Sequence, residues 1–97
     1  MPVRFSVKRL VIAFSSTAEA MAADRLLSAM EKDAVYKGRL IPVPRTISAG
    51  CGMAWKDSLE NRQIITSALA EAGVETDGCY ETDFLEKNAV TEEKREK

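Results

Sequence analysis

Twice in this chain an apolar run leads at once into a four-residue helix-opening signal. Residues 10–14, Leu-Val-Ile-Ala-Phe, precede Ser16-Thr17-Ala18-Glu19, and residues 53–55, Met-Ala-Trp, precede Asp57-Ser58-Leu59-Glu60. In each signal a short oxygen-bearing side chain is placed to accept a hydrogen bond from a free N–H of the first helical turn. A glutamate three positions on is placed to reach back to the cap. Two strand-then-helix units within 97 residues leave room for one small domain with a single two-layer core.

The intervening segments complete the order. Ala20, Ala23, Leu27 and Met30 recur at helical spacing and predict the buried stripe of the first helix. Residues 36–41 have strand character and end in Leu40 and Ile41. Pro42 and Pro44, which donate no backbone hydrogen bond, then stop the ladder and put this strand at a sheet edge. Residues 52–56 predict a third strand with Met53 and Trp55 on one face. The second helix turns Ile65, Ala68, Leu69 and Ala72 inward and ends at Gly73. From residue 79 to 85, Tyr80, Thr82 and Phe84 alternate with Glu81 and Asp83, the pattern of a half-exposed edge strand.

The succession βαββαβ predicts an α+β, ferredoxin-like sandwich: a four-stranded antiparallel sheet with two helices on one face. Ser16 and Asp57 are the expected N-caps, and Val11, Ile12, Leu27, Ile65 and Leu69 the expected core. The expected domain covers residues 8–85. Residues 1–7 are expected to be a loosely held arm, and residues 86–97 a charged, flexible tail that contributes little to the core.

Composition removes much chemistry. The chain has no histidine, so neither a Ser-His-Asp nor a Cys-His nucleophile pair can form, and two cysteines alone cannot close a zinc site. No metal site is expected. A net charge of −1, with basic residues scattered, gives no footprint for nucleic acid. The longest apolar run cannot span a bilayer, and the basic N-terminal residues are not followed by a signal-peptide core. A cytoplasmic protein that binds neither membrane nor nucleic acid is expected.

What remains is Cys51, flanked by Gly50 and Gly52. In the expected topology the start of the third strand lies beside the end of the first, which puts Cys51 near Ser15, Ser16 and Thr17 at a helix N-terminus. Unpaired N–H groups and the positive end of the helix favour thiolate over thiol there. The flanking glycines permit a sharp turn that exposes the sulfur, and Arg45 adds a full positive charge. The competing reading is a packed cysteine, with the serines serving only as caps and Arg45 in a weak surface ion pair. Cys79 enters an edge strand two strand spacings from the third strand, too far for a Cys51–Cys79 bridge unless the loops move.

The segments "FSSTAEAMAADRLL" and "GRLIPVPRTISAGCG" resemble the small bacterial domains described as "putative Se/S carrier protein-like", over roughly residues 10–73. The resemblance implies that Cys51 carries sulfur or selenium, with Arg45, Ser48 and Gly52 completing the motif. It implies no cofactor beyond the covalently carried chalcogen. It also implies a carrier rather than an enzyme with its own turnover, served by a cysteine desulfurase-type donor and a sulfur- or selenium-accepting protein. The other class compatible with the residues is a non-catalytic module that binds a ligand or protein through the Pro-Arg loop or a sheet edge, with Cys51 structural.

Overall fold

A computed structural model describes residues 4–33, 37–47 and 52–87. The elements are β1 (Arg4–Phe14), α1 (Thr17–Met30), β2 (Arg39–Pro42), β3 (Met53–Asp57), a 3-10 turn at Leu59–Asn61, α2 (Arg62–Glu71) and β4 (Thr76–Lys87). They form the expected sandwich: one antiparallel sheet in the order β2-β3-β1-β4. Both helices cover the same face, where Ala20, Ala23, Leu27, Ile65 and Leu69 pack on Leu10, Ile12, Phe14 and Trp55. Among the described residues no helix is long and apolar enough to cross a membrane.

Local chemistry explains most element ends. Ser16 caps α1, its hydroxyl accepting from the Glu19 N–H at 3.3 Å. The reciprocal half of the box does not form, because the Glu19 carboxylate instead accepts from the Glu75 N–H at 2.9 Å and ties α1 to the approach to β4. After α2, the Val74 N–H reaches back to the Leu69 carbonyl and the Gly73 N–H to the Ala70 carbonyl, satisfying carbonyls that the helix end leaves free.

Several expectations are corrected at the ends of the sheet. β1 already begins at Arg4, so residues 4–7 pair with β4 instead of forming an arm. β4 likewise runs past residue 85. Glu86 accepts from Arg9 at 2.8 and 3.2 Å and pairs with Lys56 at 2.8 Å, on side chains only 11%, 16% and 10% exposed for Arg9, Glu86 and Lys56. Composition missed this because Glu86 reads as one more tail charge, whereas its two cationic partners lie far away in sequence.

Asp57 does not cap α2. It ends β3, fully buried, and accepts from the Trp55 indole N–H at 2.8 Å, the Ser58 N–H at 2.6 Å and the Asn61 amide at 3.0 Å. Ser58 caps the 3-10 turn instead, and α2 starts one turn later. The inward stripe of α1 also continues differently: Met30 is 45% exposed, while Glu31, four residues beyond Leu27, is buried. Its carboxylate oxygen accepts from the Gly38 N–H at 2.8 Å. Burial first, and the neighbouring Asp57 carboxyl second, push the Glu31 carboxyl up to about 7.

Candidate functional site

The sheet register brings the start of β3 beside the end of β1, next to the start of α1. Ala13 of β1 pairs with Ala54 of β3, so Gly52 and Met53 lie at the end of the sheet where β1 gives way to Ser15 and Ser16. Pro42 pairs with Met53, and the Val43 N–H donates to the Gly52 carbonyl at 2.9 Å, which closes the loop at its stem. Gly52 holds φ +78°, a left-handed conformation that a side chain disfavours, so the chain leaves the loop through a glycine for a steric reason.

Inside that stem, Pro44 to Ile47 make a turn, the Ile47 N–H donating to the Pro44 carbonyl at 2.9 Å. Arg45 therefore sits at the corner, exposed, with no ion pair among the described residues. Ile47 turns the other way. Only 8% exposed, it packs with Val11, Ala13 and Ala54 on the sheet face that the helices leave open. The loop is thus fastened twice, by the stem hydrogen bond and by a buried side chain.

Ser15 and Thr17 are exposed at the mouth of α1, and Ser16 is occupied as its cap. A 14-residue helix presents the positive end of its dipole there, and Ser16 satisfies one of its free N–H groups. Of the residues singled out in the sequence, Ser15, Ser16, Thr17, Arg45 and Gly52 thus fall at or beside one end of the sheet. Ser48, Gly50 and Cys51 lie outside the described residues. Cys79 carries a free thiol, half-buried opposite Ile12, in a cleft of about 100 Å³ that Thr66, Leu69 and Val74 help to line.

Ile47 was not legible as part of the site. Its only signal is that it is the sole large apolar side chain between Val43 and Met53. Ile47→Ala is expected to lower stability by about 2 kcal/mol, through lost burial and the gap it leaves. It should also speed hydrogen exchange at the Val43 amide. Unchanged exchange there would show that the stem holds without this anchor.

The family model described as "Putative Se/S carrier protein-like" matches residues 9–81, most of the chain and the whole of this loop. No curated protein and no solved structure matches it significantly.

Proposed function

For a chain that belongs to the Se/S carrier protein-like family, we infer that Cys51 holds sulfur or selenium as a persulfide or selenosulfide and passes it to an acceptor protein. The observation that carries this reading is the family match across the complete loop, from Arg45 through Gly52. The register that puts Gly52 at the end of the sheet where β1 gives way to Ser15 and Ser16 supports it. Cys51 is one residue from Gly52 in sequence, and the start of α1 and the Arg45 cation are the groups proposed to favour its thiolate.

The step proposed is thiol–persulfide exchange. The Cys51 thiolate attacks the outer sulfur of a donor persulfide, a new S–S bond forms at Cys51, and the donor's inner sulfur leaves as a thiolate. Delivery repeats the exchange, with the acceptor's nucleophile as attacker. No net oxidant is consumed, because the sulfane sulfur carries its oxidation state with it. A cysteine desulfurase-type protein in the cytoplasm fits the donor's part. Ser15, Thr17, Ser48 and the N–H groups at Gly50 and Gly52 are the groups proposed to receive the negative charge of the perthiolate.

Incubation with such a desulfurase and its substrate should add sulfur, labile to reductant, to the peptide containing residue 51 and not to the one containing residue 79. Mass spectrometry reads this directly. Cys51→Ser should abolish loading with the fold intact. Arg45→Ala should slow loading at pH 7 only about twofold, since an exposed cation acts through solvent. A Cys51 alkylation profile with a midpoint at or above the free-cysteine value of about 8.5 would reject the reading in favour of a binding module.

A further inference from the structure

At the opposite end of α1 from the loop, three separate elements converge on one buried polar cluster. Glu31 comes from the end of α1, Gly38 from the approach to β2, and Trp55 and Asp57 from β3. The contact is close. A Cβ built on Gly38 would lie 2.5 Å from the Trp55 indole nitrogen and 2.7 Å from the Lys56 carbonyl oxygen, and would also meet the Asp57 carboxylate.

The hydrogen bonds distinguish the two carboxyls. Asp57 accepts from three N–H donors across its two oxygens. Glu31 Oε1 accepts from the Gly38 N–H at 2.8 Å, and Gly38 in turn lies against the Asp57 carboxylate, so the two carboxyls are neighbours across this glycine. Two neighbouring carboxylates repel in this buried setting, and burial first, with the Asp57 carboxyl second, raises the Glu31 carboxyl.

Among the described residues no cation pairs with either carboxyl. Lys32 and Asp33, which follow Glu31, are exposed, and so is Arg39 on β2. Lys56 on β3 turns to the other face of the sheet, where it pairs with Glu86. Asn61, from the 3-10 turn, is neutral. Among the described residues neither Glu31 nor Asp57 has a salt-bridge partner.

We propose that Glu31 and Asp57 form a proton-dependent latch, which fastens the end of α1 and the approach to β2 onto the end of β3 and loosens when the Glu31 proton is lost. The folded chain holds the Glu31 proton to about 7, against an ordinary value of 4.5. The latch therefore contributes fully below pH 4.5, and its contribution fades as the pH rises through 7.

Two properties make the test clean. Trp55 is the only tryptophan and its N–H bonds Asp57 directly, and the chain has no histidine to titrate in the same range. Trp55 emission and the Gly38 amide resonance, followed from pH 5 to 9 on the full chain, should move together with one midpoint near neutrality. The unfolding equilibrium constant should rise roughly a hundredfold over the same interval. In Glu31→Gln, whose amide oxygen can still accept from Gly38, both signals should stay flat. A flat wild-type titration, or one that persists in Glu31→Gln, overturns the proposal. Should Glu31→Gln fail to fold, the ¹³C resonance of the wild-type Glu31 carboxyl decides: a midpoint below pH 5 overturns the latch, and one near 7 supports it.

Discussion

Gly38→Ala is expected to be the most damaging single substitution at the buried polar cluster, removing on the order of 4 kcal/mol of stability. The new methyl group has no space. It would lie 2.5 Å from the Trp55 indole nitrogen and 2.7 Å from the Lys56 carbonyl, and a backbone carbonyl inside a ladder cannot swing aside. Relief requires β2 to move off β3 or Trp55 to release Asp57. The second course strands a fully buried carboxylate without one of its three donors. A small domain has a stability of about 5–15 kcal/mol, so a chain near the lower end would be largely unfolded at 37 °C. Urea denaturation monitored by Trp55 emission measures the loss. A change under 1 kcal/mol would mean that the strands part here with little cost.

Removing Glu86 should have the next largest effect. Glu86→Ala removes the carboxylate that Arg9 and Lys56, both nearly covered by their neighbours, share. The expected cost is about 2 kcal/mol, less than for a fully buried pair because the cluster keeps some access to water. The same group sets an acid limit. Hydrogen bonds from Arg9, and then from Lys56, hold the Glu86 carboxyl down to about 2. Its contribution is complete above the ordinary value of 4.5 and is lost as the pH falls toward 2. Since the Glu31 contribution fades in the opposite direction, these two groups together place a stability maximum near pH 4.5. Truncation after Leu85 should be as costly as Glu86→Ala, and acid unfolding of the Glu86→Ala chain should be correspondingly shallower. A truncated chain as stable as the full one would show that the ion pairs do not contribute.

The sequence by itself determined the elements and their order. Short-range patterns carry that information: β-branched runs, 3.6-residue stripes, Ser16 at a helix start and Gly73 at a helix end each act over a few residues. Those patterns suffice for the antiparallel sandwich, for its core of Val11, Ile12, Leu27, Ile65 and Leu69, and for the pairing of the start of β3 with the end of β1. The family motif in that loop was legible for the same reason, since its residues are contiguous.

Tertiary structure alone decided the fate of the charged and exceptional residues. Asp57 reads locally as a helix cap, yet the Trp55 indole and the Asn61 amide draw it into the core, because a buried carboxylate gains more from three donors than from one helix end. Glu31 occupies the inward stripe where Met30 was expected, since a partner from β3 lets it be buried with a proton. Glu86 becomes part of the sheet through Arg9 and Lys56, and Ile47 anchors its loop on Val11, Ala13 and Ala54. Each outcome depends on a partner distant in the chain or on the far side of a turn. Such a residue's local pattern is silent about whether it will be solvated or paired.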